Sequence, residues 1–210
     1  MPNSAKATLS KADQAGNTAL HEAAVGGSTI AQLEELLQAG VDVNQPNSAG
    51  RLPLHTVCSV GYYDPELPTY LSEQGKWIME RTKDVDACDK NTIRPLHLAS
   101  MMSEYLVQGL LAAGADPAGA TSEGLTPLHL AARARQSNIT GILLEALAKA
   151  GIISQHVDAR DDLGRAPLHY ACRSGRSETV GLLLAAGAAP TAQDEQGMTP
   201  LEACTEFEEE

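Results

Sequence analysis

From residue 18 onward, two apolar patterns take turns along the chain. The first is a short block in which a Leu precedes a pair of small residues: Leu20 before Ala23-Ala24, Leu96 before Ala99-Ser100, Leu128 before Ala131-Ala132, Leu168 before Ala171-Cys172. The second carries apolar residues at helical spacing, as in Val180, Leu183 and Leu184, and ends in Gly187. Apolar positions three and four apart predict an amphipathic helix, and a Gly just beyond suits its left-handed C′ position. Leu36-Leu37 with Gly40 and Leu110-Leu111 with Gly114 end the same way. The alternation predicts pairs of short helices, repeated, with the small residues letting neighbouring pairs approach closely.

A polar anchor keeps the period. Five of the six His residues, His21, His55, His97, His129 and His169, close the tetrapeptides TALH, LPLH, RPLH, TPLH and APLH. A further copy, TPLE, closes at Glu202, and the anchors are 34, 42, 32, 40 and 33 residues apart. Thr before Pro is a helix start, with Thr as cap and Pro at the first helical position, where a missing N–H costs nothing. A Gly lies five residues before the anchor at 16, 50, 124, 164 and 197, and an Asp eight before it at 13, 89, 161 and 194. Such a Gly suits a tight hairpin turn that needs positive φ.

These coupled positions resemble the ankyrin repeat, about 33 residues of hairpin and two antiparallel helices. The resemblance runs from Asp13 to Cys204. It implies an all-α ankyrin-repeat solenoid of stacked helix-turn-helix units with short β-hairpin loops. The repeats fall at 13–44, 47–86, 89–117, 121–158 and 161–191, with a partial copy at 194–205, all within a domain at 13–205. Residues 1–12 read as a flexible tail and 206–210 as an acidic one. No repeat buries its apolar face alone; stacking makes the core continuous.

Several copies depart from the pattern. Leu52, Arg94 and Ala166 replace the capping Thr, each at an expected cost of about 0.5–2 kcal/mol. Thr92 stands where the third hairpin needs Gly, and that copy has no Gly between its helices, so local distortion is expected there. The second copy is long: Asp64-Pro65-Glu66 reads as a helix start, Pro68 as a break, and a helix restarts near Thr69 and runs to about Arg81. Tyr62, Tyr63, Tyr70 and Trp77 all lie in this segment and are expected to form a satellite core. The fourth copy carries a second helix about one turn longer, with His156 in an exposed loop beyond it.

Composition narrows the function. The net charge of −12 disfavours non-specific nucleic-acid binding, and no apolar run approaches the ~20 residues of a membrane span. The first residues show no apolar leader, and four Cys without a CxxC pair suit reduced thiols in cytoplasm or nucleus. Charge is segregated: residues 1–132 net −7, 133–176 net +3 and 177–210 net −8. The basic middle suits an acidic or phosphorylated ligand, because Arg pairs bidentately with carboxylate and phosphate. With 3% aromatics, the core must rest on Ala-Leu packing.

Catalytic and metal chemistry are not expected. Anchor His residues one repeat apart cannot share the ~2 Å bonds of a zinc site. The resemblance assigns them hydrogen bonds between hairpin and helix. Cys58, Cys172 and Cys204 fall at core positions and read as buried and inert, while Cys88 beside a hairpin is the accessible thiol. No Gly-rich phosphate loop, HExxH or GxSxG is present, so no cofactor is expected.

The resemblance places a binding surface on the concave side, at hairpin tips and exposed first-helix positions. By register these are Arg51, Lys90, Ile93, Met101, Met102, Leu125, Arg133, Arg165 and Arg173. Ile93, Met101, Met102 and Leu125 would make an apolar centre, and the Arg residues its flanks. The resulting expectation is a non-catalytic interaction module, monomeric, holding another protein or a peptide, with neither nucleic acid nor membrane as partner. An assembly escort for a basic client, drawn by the acidic segments, and a regulatory domain of a multidomain enzyme are the alternatives.

Overall fold

A computed structural model describes residues 12–26, 28–60 and 70–205, with the side chains of 70–72 and 205 left aside. The tail at 1–12 lies almost wholly outside these residues. So do the acidic run 206–210, the start at Asp64-Pro65-Glu66, and the ring side chains of Tyr62, Tyr63 and Tyr70. The chain divides into two compact units, Met1–Ala115 and Asp116–Glu210. Among the described residues there are helices and turns but no strands.

In the first unit the helices are α1 (Ala19–Val25), α2 (Ile30–Gln38), α3 (Pro53–Val60), α4 (Tyr70–Arg81), α5 (Pro95–Met102) and α6 (Glu104–Ala112). First helices α1, α3 and α5 pack in succession, and second helices α2, α4 and α6 form a layer beside them. The second unit repeats the plan with α7 (Pro127–Arg133), α8 (Ser137–Lys149), α9 (Ile153–His156), α10 (Pro167–Arg173), α11 (Ser177–Ala185) and α12 (Glu202–Thr205).

The core is a ladder of one residue per repeat. Leu20, Leu54, Leu96, Leu128 and Leu168, each just before an anchor His, are all buried. Leu33, Ile78, Leu110, Leu143 and Leu183 answer from the second helices. Burying a Leu contributes roughly 1.5–3 kcal/mol, so the ladder outweighs any single cap.

Helix α4 belongs to this core rather than to a satellite. A methyl at Gly75 would come within 3.1 Å of Val57 and closer still to Leu106, so the glycine lets α4 seat against both. Trp77, the described ring of the predicted satellite, is buried with the Arg81 guanidinium 4.2 Å over its face.

The third hairpin is not distorted. The Asp89 amide bonds the Ile93 carbonyl at 2.9 Å and the Thr92 amide the Asp89 carbonyl at 3.0 Å, as in the other copies. Thr92 accepts φ 58° to do so, a conformation a β-branched residue rarely adopts. Strain is stored instead of shape being lost. Where that copy lacks an interhelical Gly, Ser103 alone joins α5 to α6, its Oγ accepting from the Leu106 amide at 3.3 Å.

In the fourth copy α8 has 13 residues against 9 in α2, α6 and α11, the extra turn the sequence predicts. After Gly151 the chain adds α9, a one-turn helix. His156 ends it half-buried, which corrects the exposed loop.

Candidate functional site: the hairpin and first-helix faces

Each anchor His accepts through Nδ1, and His21, His55, His129 and His169 also donate through Nε2. The Nδ1 atom accepts the amide N–H three residues back, at 3.1 Å in all five copies. The Nε2 atom donates to the next hairpin's carbonyl: His21 to Arg51 at 2.8 Å, His55 to Ile93 at 3.1 Å, His129 to Arg165 at 3.0 Å, His169 to Met198 at 3.1 Å. The acceptor Nδ1 and donor Nε2 fix the neutral ring. Burial, the largest influence, pushes His21, His55 and His129 below the usual histidine value.

Thr serves the anchor as well as the helix start: Thr18 and Thr126 bring their hydroxyls to the His Nδ1, at 3.0 and 2.8 Å, within the capping box that opens each helix, and Thr199 accepts the Glu202 amide at 3.4 Å. Copies with Leu52, Arg94 or Ala166 keep the amide-to-ring bond and lose the hydroxyl contact alone. Glu202 replaces the ring with a carboxylate, which accepts from Thr199 twice, at 2.9 and 2.7 Å, and has no proton for a neighbour's carbonyl.

The hairpins hold buried carboxylates. In the second unit, Asp161 Oδ1 accepts the amides of Leu163 at 3.0 Å and Arg165 at 2.8 Å. Its Oδ2 receives Arg165 Nε and Nη2, both at 3.1 Å, and the Tyr170 hydroxyl at 2.5 Å. Burial raises Asp161, but the Tyr170 hydroxyl, the amides and Arg165 outweigh it and leave the carboxyl below its ordinary value. Burial and the facing Asp161 push the Tyr170 phenol above its own. The Arg165 guanidinium lies 5.0 Å over the Tyr170 ring, which meets His129 edge-on at 5.5 Å.

In the first unit Asp89 accepts amides from Asn91 at 2.8 Å and Ile93 at 2.9 Å, and its Oδ2 receives Arg51 Nε at 2.9 Å. Arg51 and Arg165 are therefore committed to carboxylates of the fold, which reduces the predicted basic flank. Lys149 pairs with Glu145 at 2.8 Å, and Arg160 donates to the Gly164 and Gln193 carbonyls. Arg133, Arg173 and Lys90 are exposed. Ile93, Met101 and Met102 are half-buried in the first unit, and Leu125 is half-buried in the second.

A groove of about 470 Å³ opens on the hairpin side of the second unit. Leu163, Tyr170, Arg173, Glu195 and Met198 line it, with Ala203 at its α12 end. Leu163 at a hairpin tip is 52% exposed. Arg165 and Arg173 were predicted for the binding face; Tyr170 and Glu195 were not. Tyr170 directly follows its anchor, nine residues after Asp161, and that spacing could have revealed it.

Two of the four thiols lie as expected and two do not. Cys58 is sealed in the core, its thiol pushed up by burial, and Cys88 is exposed. Cys172 and Cys204, expected to be buried, are both partly exposed. Among the described residues, no three His, Cys, Asp or Glu side chains gather to hold a metal ion, and no helix is long and apolar enough to cross a membrane.

Comparison with known proteins agrees with this architecture. The profile "Ankyrin repeats (3 copies)" matches residues 69–154 and 146–210, and "Ankyrin repeat" matches 15–48. Protein phosphatase 1 regulatory subunit 27 of Homo sapiens is 37% identical over 70 residues, 33% of this chain and 44% of the relative. Its Mus musculus counterpart is 36% identical over 70 residues, with the same shares. The chain thus spans less than half the length of the curated relatives it matches. With the Leu ladder, the His anchors and a profile match over most of its length, the chain belongs to the ankyrin repeat family of protein-interaction modules.

Proposed function

We propose that the chain is a non-catalytic recognition module that holds a peptide or protein surface on its hairpin and first-helix face. The observation that supports it most is the second-unit groove, where exposed Leu163 and half-buried Met198 flank Tyr170 and Arg173. Apolar groups left open beside a few placed polar ones suit a partner side chain. Ile93, Met101 and Met102 offer a similar apolar face on the first unit, and Leu125 on the second.

Crosslinking tests this reading. A photoreactive residue at position 196, on the groove wall, captures the partner in cell extract, and Leu163→Glu with Met198→Glu abolishes capture. Leu184→Glu, an exposed position on α11, leaves it intact. Capture that survives the groove pair, or fails equally with Leu184→Glu, overturns the proposal. Met101→Glu with Leu125→Glu tests the predicted apolar positions in the same way. A groove binder keeps its affinity as salt rises; an escort for a basic client loses much of it.

The relatives' name supports a second, narrower reading, in which the partner is protein phosphatase 1. Titration of the full chain with the purified phosphatase decides it: binding lost in the Leu163/Met198 variant supports this reading, and no binding refutes it.

A further inference from the structure

The hairpin aspartates share one arrangement, and the last of them lacks half of it. Asp13, Asp89 and Asp161 each accept one or two backbone amides on Oδ1. Each also accepts a side chain on Oδ2: Asn17 Nδ2 at 3.1 Å, Arg51 Nε at 2.9 Å, and Arg165 together with the Tyr170 hydroxyl. Asp194 Oδ1 accepts the amides of Gln196 and Met198, both at 2.9 Å, but its Oδ2 has no partner among the described residues. The two groups that fill the Asp161 site are replaced in register. Met198 stands four residues after Asp194, where Arg165 follows Asp161, and Ala203 stands nine after, where Tyr170 does. A guanidinium and a phenol have become a thioether and a methyl. Asp194, Met198 and Ala203 all line the groove of about 470 Å³, so the room these shorter side chains leave opens into it.

We propose that the groove takes a peptide segment bearing an arginine next to an apolar residue, and that this arginine fills on Asp194 the place that Arg165 fills on Asp161. Such an occupant presupposes that the groove is the recognition site. The guanidinium donates to Asp194 Oδ2, as Arg51 and Arg165 donate to Asp89 and Asp161. Its stem lies along Met198 and Ala203, since such stems cover apolar surface while the head stays with a charge. The apolar neighbour rests on Leu163, exposed at the hairpin tip. Charge agrees with this occupant. Arg165 is matched by Asp161, so Asp194 and Glu195 leave the groove one negative charge in excess of Arg173. Residues 177–210 hold eight acidic residues and neither Lys nor Arg, so this part of the chain has no cation of its own to offer. Arginine suits the place better than lysine, because both internal precedents bond through Nε, an atom lysine does not have.

The test selects a random peptide library displayed on phage against the immobilised full chain. Enriched peptides are expected to carry Arg beside an apolar residue. A synthetic copy with citrulline in place of that arginine keeps the shape without the charge, and should bind about tenfold more weakly. The original peptide should lose as much on Asp194→Asn, which keeps Oδ1 for the two amides. Met198→Arg with Ala203→Tyr rebuilds the Asp161 arrangement within the chain, and should exclude the peptide and melt later than wild type. Far-UV circular dichroism verifies that each variant folds; if one does not, the citrulline peptide decides on the unaltered chain. Leu163→Ser with Met198→Ser removes the apolar contacts without adding charge and should also weaken binding. Peptides that need Leu163 and Met198 but bind equally with citrulline, or equally to Asp194→Asn, overturn the arginine and leave the groove as a recognition site. Enrichment of peptides without arginine, or of none, overturns the arginine too. Peptides indifferent to the Leu163/Met198 change as well bind elsewhere, and overturn the groove as their site.

Discussion

The hairpins at Asp89 and Asp161 solve one problem with different parts. Each buries a carboxylate under two backbone amides, and each brings an arginine to its second oxygen. At Asp89 the arginine is Arg51, from the preceding repeat, and it comes alone. At Asp161 it is Arg165 of the same hairpin, and Tyr170 adds a hydroxyl from α10. The fourth hairpin residue differs as well: Gly164 takes positive φ freely, whereas Thr92 takes it under strain. One hairpin is over-determined and the other is just sufficient. An arginine at a position commonly used for recognition can therefore be spent on the fold, and its accessible surface alone does not show which.

The largest test of this contrast is Asp161→Ala. It removes the acceptor of four side-chain and backbone groups and leaves Tyr170 and Arg165 unmatched. Breaking a buried pair costs about 3–5 kcal/mol, and a loss of about 3 kcal/mol is expected in the second unit. Asp89→Ala should cost less. Denaturant unfolding checks this, with circular dichroism reporting on the whole chain and the single Trp77 on the first unit alone. Equal losses at the two sites would erase the comparison.

Acid is the next lever, and it acts on both units through the anchors. His21, His55 and His129 have folded-state values below 6.5, their value in the unfolded chain. Below pH 6.5 the unfolded chain binds protons that the folded chain refuses. Stability is therefore level above 6.5 and falls as pH drops from there toward the folded values. Each such ring steepens the fall by up to about 1.4 kcal/mol per pH unit. Two of the three lie in the first unit, so Trp77 fluorescence should show the steeper acid loss. Thermal melts across this range check it, and a flat profile contradicts neutral, ring-accepting anchors.

Much of this architecture was legible in the chain. The Leu ladder and the His anchors share one period, and each Leu that precedes an anchor His is buried as that period requires, whereas Leu201 before Glu202 is exposed. The partners of Arg51 and Arg165 were not legible. Arg51 and Asp89 are 38 residues apart, and whether they meet depends on where the next hairpin lands. Exposure of Cys172 and Cys204 was also hidden, because a small-residue position marks close packing without saying how much solvent reaches its edge. Helix α9 forms after a chain reversal at Gly151, within a stretch too short to show a period. Tyr170 was readable in principle, since its spacing from Asp161 is set within one repeat.

A gain, rather than a loss, is expected at Thr92. The hairpin bonds hold its backbone at φ 58°, where a β-branched side chain crowds its own carbonyl. Such conformations cost of order 1–3 kcal/mol. Glycine removes that strain but is itself more flexible in the unfolded chain, which offsets part of the benefit. Thr92→Gly should stabilise the first unit by about 1 kcal/mol, read as a later Trp77 unfolding midpoint. Gly164→Thr should destabilise the second unit by at least as much, because a Cβ at 164 would meet the Glu195 amide at 3.0 Å.

The smallest effect is expected at Arg51, and it separates structure from recognition. Its side chain is 36% exposed, so solvent screens the pair with Asp89 and its worth falls to about 1 kcal/mol or less. Arg51→Ala also leaves Asp89 with its two amide bonds, which hold the turn without help. The variant should fold, with Trp77 unfolding only slightly earlier. At Asp161, Arg165→Ala removes two contacts and a cation over Tyr170, and should cost more. If Arg51→Ala instead leaves stability unchanged but weakens partner capture, Arg51 serves recognition and its bond to Asp89 only positions it. If stability and capture fall together, the arginine acts through the hairpin it holds, and the recognition surface of the first unit lies with its apolar residues.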